Sequence, residues 1–259
     1  MATAPTLEDL QIRTHGADHL PTLIYLPGLH GDWTLIGDFR KHLAGQVRFV
    51  EFTYPRTLTW SLDDYAAAIE NSLAQNGITG GWLLGESYGS QLAWQLAARQ
   101  KISVAAIILA GGFVKFPVRP GVWVAQTSLK LIPLGLMIRF FVAYGKLTRS
   151  RHDYPPETIT ALNEFLSRRT ELDRQAMRHR LKQIAEFDPR DIARETRVPV
   201  YYLSAKFDPA VPYFLVRHWL RKNCPSLRDV QSIPTFDHNI LATSHAPCAR
   251  QILNWMNGH

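Results

Sequence analysis

Five consecutive residues, Gly85-Glu86-Ser87-Tyr88-Gly89, have a spacing with chemical meaning. A serine with a glycine two positions to either side suits a sharp strand-to-helix turn. There the hydroxyl is thrust out of the backbone, and a Cβ at either glycine would collide with main chain. A neutral hydroxyl is a weak nucleophile, so it needs a histidine to take its proton and an acid to orient that histidine. Of the ten histidines, His238 falls in a short loop between an apolar run at residues 230–233 and a final helical segment. His245, at the start of that segment, is the competing base, although a capping or solvent role suits it better. His15, His19 and His42 read as surface residues. Asp208, in Ser204-Ala205-Lys206-Phe207-Asp208-Pro209, follows the apolar run 198–203 and is the candidate acid. Its plain alternative is a turn aspartate before Pro209. Asp237 is the other acid near the base, but a residue adjacent to a histidine seldom reaches its Nδ1.

Acyl chemistry at a serine also needs two N–H donors for the oxyanion. The amide after the nucleophile, that of Tyr88, is one candidate. The second comes from Pro27-Gly28-Leu29-His30-Gly31-Asp32, which follows the apolar run 22–26. Counting from the end of that run makes Leu29 the donor; aligning on His30-Gly31 instead would make it Asp32. Trp33 reads as core or pocket wall.

Such residues must be held by a rigid frame. Residues 22–26, 47–52, 82–84, 104–109, 198–203 and 230–233 are short, nearly continuous apolar runs, as expected of parallel strands buried on both faces. Residues 7–13 add an expected antiparallel edge strand, followed by the turn His15-Gly16-Ala17-Asp18. Helices are predicted over 61–75, with Ser61 as cap, and over 88–99, 213–222 and 245–256. Strand and helix alternate, the pattern of an α/β sheet covered by helices. The rhythm fails once, between 109 and 198. A crossover needs only a dozen or so residues, so this gap predicts an inserted helical cap. The expected organisation is a core of residues 1–114 and 198–259 with a cap at 115–197. Residues 122–144 of the cap are strongly apolar, but Lys130, Pro133 and Arg139 argue against a membrane span and for burial over a pocket.

The chain has 259 residues, 46% of them hydrophobic and 20% charged, which suits one globular domain with an insertion and excludes disorder. The net charge of +7 is confined to residues 115–197, with 16 Lys/Arg against 9 Asp/Glu; elsewhere the count is 13 against 13. A solvated helix face is the simplest account. Weak attraction of the basic cap to anionic substrates or lipid surfaces is the functional one. The basic residues carry no interleaved aromatics, so no nucleic-acid partner is expected. The first twenty residues contain Glu8, Asp9 and Asp18 and no apolar leader, so a cytoplasmic location is expected. Cys224 and Cys248 form no disulfide framework and are expected as free thiols, with pairing as the alternative.

With a glycine loop after an early strand, Gly-Glu-Ser-Tyr-Gly, Phe-Asp-Pro-Ala-Val-Pro and Asp-His-Asn, residues 22–256 resemble the α/β-hydrolase superfamily. The chain looks most like its capped branch of carboxylesterases and monoglyceride-lipase-like enzymes. That resemblance implies a Ser87–His238–Asp208 triad with Tyr88 and Leu29 as oxyanion donors. It also implies ester hydrolysis with neither metal nor organic cofactor, and the apolar composition of residues 122–144 suggests small-molecule esters with short to medium apolar acyl groups. The Pro27-Gly28 pair departs from the commoner His-Gly, and Glu86-Ser87-Tyr88 from His-Ser-Met. A thioester, amide or carbon–carbon substrate on the same residues is the alternative, and a non-catalytic binding protein is a third reading. Serine in place of aspartate argues against haloalkane chemistry.

Overall fold

A computed structural model describes residues 9–136, 139, 156–167 and 169–258. Seven strands form one sheet: β1 (Gln11–His15), β2 (Thr22–Leu26), β3 (Arg48–Thr53), β4 (Gly80–Glu86), β5 (Ser103–Ala110), β6 (Val200–Ala205) and β7 (Leu227–Ile233). Their order is β1-β3-β2-β4-β5-β6-β7. β1 pairs antiparallel with β3 and every other pairing is parallel. The apolar runs are nearly continuous because successive side chains serve opposite cores. Ile24, Leu26, Val50, Phe52, Ile107 and Leu109 pack on one face against α2 (Leu62–Gln75), α3 (Gly89–Arg99) and α8 (Tyr213–Asn223). Leu23, Tyr25, Phe49, Leu84, Ile108 and Leu203 pack on the other against α1 (Gly37–Leu43) and α10 (His245–Met256). A one-residue slip would exchange the two sets, so both faces fix the register.

The predicted helices form within a residue or two of their expected ends. Ser61 caps α2 through a capping box with Asp64. The edge strand lies later than predicted, at Gln11–His15 rather than 7–13, because it pairs residue for residue with Thr53–Phe49 of β3. Its first expected residues, 7 and 8, lie outside the described residues. Three short helices were not anticipated: α1, α7 (Arg190–Glu195) and α9 (Ile240–Thr243).

Between β5 and β6 the described residues form α4 (Arg119–Leu131), α5 (Pro156–Ser167), α6 (Glu171–Glu186) and α7, so the insertion is helical. Burial of the apolar stretch does not hold for its described part. Val122, Ala125 and Leu129 face the core, but Trp123 is 67% and Leu131 70% exposed. The reason is geometric, since Gln126, Thr127, Ser128 and Lys130 interrupt the apolar surface of α4 and only the stripe that meets α6 and the core is covered. Residues 137, 138 and 140–144 of the stretch lie outside the described residues. No helix among the described residues is long and apolar enough to cross a membrane.

Candidate active site

The turn from β4 into α3 carries Ser87 with φ of 49°, in the left-handed region that non-glycine residues avoid. Several contacts hold it there. The Ser87 N–H donates to the Ala110 carbonyl of β5 at 3.0 Å. The Ser87 carbonyl accepts from the Ser90 N–H at 3.0 Å and from its hydroxyl at 2.6 Å. A Cβ at Gly89 would overlap the Leu26 carbonyl oxygen, and one at Gly85 would stand 2.8 Å from the Ser90 backbone. Both glycines are therefore demanded by close approach.

His238 sits between β7 and α9, and its Nε2 lies 2.9 Å from Ser87 Oγ. Its Nδ1 lies 2.7 Å from Asp208 Oδ2. The Asp208 side chain is 0% exposed, and its other oxygen accepts the N–H groups of Ala210 and Val211, each at 2.8 Å. Every side of the carboxylate is thus satisfied, and its orientation is set before any substrate arrives. Burial pulls the His238 pKa down. The hydrogen bond and charge of Asp208, with added pull from Glu86 and Asp237, outweigh it and leave the imidazole raised above its ordinary value.

The alternatives separate cleanly. Asp237 accepts the Asn239 N–H at 3.0 Å, whereas the His238 Nδ1 meets Asp208. His245 stacks on His42 of α1, with ring nitrogens 2.9 Å apart. Sequence reasoning missed Phe207 and Phe236, whose rings stack at 4.4 Å beside the acid and the base. With the Phe207 N–H on the Thr235 carbonyl at 3.2 Å, they tie the two loops together.

The loop after β2 passes directly over the nucleophile turn: a Cβ at Gly28 would lie 3.5 Å from the Glu86 carbonyl oxygen. The Gly31 N–H closes the loop on the Gly28 carbonyl at 3.0 Å. Among the described residues the N–H groups of Leu29 and Tyr88 donate to no protein acceptor, which leaves both for a ligand. The Asp32 N–H, the other candidate donor, likewise donates to no protein acceptor among the described residues. The Asp32 carboxylate pairs with Arg169 and accepts the Thr34 N–H at 2.9 Å, and its carbonyl receives His30 Nε2 at 2.9 Å.

The insertion reaches into this centre: Lys182, Arg190 and Arg194 keep to solvent as a solvated face would, but Arg169 and Arg180 do not. Arg180 of α6 is 2% exposed. It donates to the Leu29 carbonyl at 2.9 Å and the Pro55 carbonyl at 3.1 Å, and its guanidinium lies 5.4 Å over the Tyr54 ring. A Cβ at Gly31 would overlap it. Asp173, capped to Thr170, pairs with Arg56 at 2.6 Å and Arg169 at 3.6 Å. Gln183, one turn beyond His179, accepts the Tyr88 hydroxyl at 2.5 Å. Periodicity alone could not reveal these contacts, since the partners of Arg180 are carbonyls some 125 and 151 positions away. Glu86 lies under the turn, buried, and accepts the Tyr25 hydroxyl at 2.5 Å. Burial and that carboxylate push the Tyr25 hydroxyl pKa well upward. Among the described residues no three His, Cys, Asp or Glu groups converge as a metal site.

The architecture recurs widely among solved structures. An esterase from Exiguobacterium antarcticum superposes with a TM-score of 0.78 at 14% identity, covering 96% of each chain. An enol-lactonase from Burkholderia xenovorans LB400 gives 0.76 at 16% identity over 96% of each. A bromoperoxidase from Bacillus anthracis gives 0.75 at 14% identity, covering 96% of this chain and 95% of that one. At such identities the likeness is one of fold, and the three proteins are named for different activities. No curated protein matches the sequence. The family model described as "Alpha/beta hydrolase family" matches residues 15–250, which take in the sheet, the nucleophile turn and the His238 loop, and the chain belongs to that family.

Proposed function

We propose that the chain is a serine hydrolase cleaving carboxylic esters of small molecules, with Ser87, His238 and Asp208 as its catalytic triad. The observation that carries this reading is the hydrogen-bonded line from Ser87 Oγ through His238 to Asp208, 2.9 and 2.7 Å long, at a serine with φ of 49°. His238 Nε2 takes the Ser87 proton as Oγ attacks the ester carbonyl, and Asp208 stabilises the imidazolium. The Tyr88 and Leu29 N–H groups receive the oxyanion. His238 returns its proton to the leaving alcohol, then activates water to release the acid. Residues 115–197 act as the cap, and the acyl group is short to medium and apolar, a preference resting on the composition of that segment. The bromoperoxidase neighbour is a reminder that fold alone selects no reaction.

Labelling by a fluorophosphonate probe tests the nucleophile: wild type labels and Ser87→Ala does not. Equal labelling of both, or esterase activity retained in Ser87→Ala, refutes the assignment. A panel of esters, lactones, thioesters and amides then ranks the bond cleaved, and p-nitrophenyl esters of increasing length test the acyl preference.

A further inference from the structure

α6 carries Arg174, Arg178 and Lys182 at intervals of four, so the three cations share one face of the helix. With Gln126 of α4, Gln175, His179 and Leu58 they line a pocket of about 380 Å³. Cations one turn apart repel, and two of the three find relief. Arg174 donates to Glu171 and to the carbonyls of Leu129 and Lys130 at the end of α4. Lys182 stands 3.7 Å from Glu186. Arg178, between them, feels the charge of Glu171 but makes no close ion pair among the described residues, and its Nε is buried without a hydrogen-bond partner. A surface cation that merely solvates a helix keeps its donors in water. This one holds a donor out of water, on a concave wall where like charges focus the potential.

We propose that this pocket binds the phosphate or carboxylate group of a small organic anion. Arg178 and Lys182 supply the charge, the Gln126 and Gln175 amides supply neutral donors, and Leu58 supplies an apolar wall. The guanidinium fork matches either oxyanion in two-point geometry. The pocket is larger than a bare inorganic anion, and its volume falls in the range of small-molecule sites. One polar bridge separates it from the nucleophile turn. His179 Nε2 and the Gln183 amide meet the Trp60 carbonyl at 2.7 and 2.5 Å, and Gln183 accepts the Tyr88 hydroxyl.

Calorimetric titration of the Ser87→Ala protein with phenyl phosphate at low ionic strength tests the site without any turnover, so its outcome stands apart from that of the hydrolase reading. The expected result is saturable binding that phenol does not reproduce, weakened at least tenfold by Arg178→Gln and by Lys182→Gln. Absence of saturable binding, or an affinity in both variants equal to that of the Ser87→Ala parent, overturns the proposal. Lys182 is exposed, so Lys182→Gln carries the test should Arg178→Gln misfold. Two further arms identify the source of the anion. If an ester with a terminal carboxylate loses kcat/KM relative to a neutral ester in Arg178→Gln, the group is borne by the substrate. If that ratio holds while inorganic phosphate displaces phenyl phosphate, the pocket takes a separate anion. Either outcome leaves the anion site standing.

Discussion

Replacing Arg180 with Met would separate two roles of the insertion, covering the site and building it. The side chain lies almost wholly out of water and donates to two carbonyls, those of Leu29 at 2.9 Å and Pro55 at 3.1 Å. Charge-assisted bonds contribute about 1.5–3 kcal/mol each, so losing both removes about 3–6 kcal/mol before water enters the vacated space. That is a large share of the ~5–15 kcal/mol by which a domain is stable, so the variant folds with a clearly lowered thermal midpoint. The kinetic effect follows from position. On the proposed mechanism Leu29 offers the second oxyanion N–H, and complete loss of one such donor lowers kcat by about 10²–10³. Loosening of the loop, rather than removal of the donor, should lower kcat about 10- to 100-fold, with KM changed little because the ground-state ester scarcely uses that N–H. Arg180→Lys keeps the charge but cannot span two carbonyls, so it falls between wild type and Arg180→Met. Steady-state kinetics on a neutral ester, run well below the lowered midpoint, measures the effect. A variant destabilised as expected but with kcat within twofold of wild type would show that Arg180 only packs the insertion, and the positioning argument would fail.

Three further outcomes follow from the same geometry. Asp208→Asn keeps a hydrogen-bonding group of the same shape but removes the charge that holds the His238 pKa up; the base works only when neutral, so the acid limb of the kcat/KM profile moves to lower pH, and the plateau falls by about 10⁴. Ser87→Gly should be more stable than Ser87→Ala by about 0.5–1 kcal/mol in denaturant titration, because only glycine relieves the left-handed φ at Ser87, an advantage partly offset by its greater freedom when unfolded; the reverse order would mean the turn is not strained. Burial pushes the Cys224 thiol up to about 11 and raises that of Cys248 as well, so a thiol reagent at neutral pH should find neither until the chain is denatured, when both react.

The sheet was legible because its signal is local and repeated. The central strands β2 to β6 carry buried apolar runs, which stand out against the polar helices and turns between them. Ser87, His238 and Asp208 were legible for a related reason. Each follows a strand at the carboxyl end of the sheet, so reading the strands placed all three on one edge. Only the union of the three required the fold, and the geometry unites them within hydrogen-bonding distance. The insertion read poorly because its helices are patterned against partners far away in sequence. Arg169 and Arg180 look like two more charges on a polar helix until Asp32 and the Leu29 carbonyl are seen beside them. Trp123 and Leu131 look like core until α4 proves to have only one neighbour-facing stripe.

These failures share a direction, and it bears on how the chain divides. If the cap at 115–197 were a lid separable from the core of residues 1–114 and 198–259, the two parts would meet through sparse contacts. The contacts observed are instead buried and charged. Arg180 and Arg169 reach down to the loop of Leu29 and Asp32, Arg56 reaches up to Asp173, and Gln183 receives the Tyr88 hydroxyl. Breaking one half of a buried charged pair leaves the other unsatisfied, so such contacts are lost or kept together rather than one at a time. A lid that swings as a rigid body would have to break all of them at once, while the residues that hold the oxyanion loop depend on their staying closed. α6 therefore belongs to the wall of the site. An opening that admits substrate without breaking these contacts lies outside the α6 segment that carries Arg180 and Gln183.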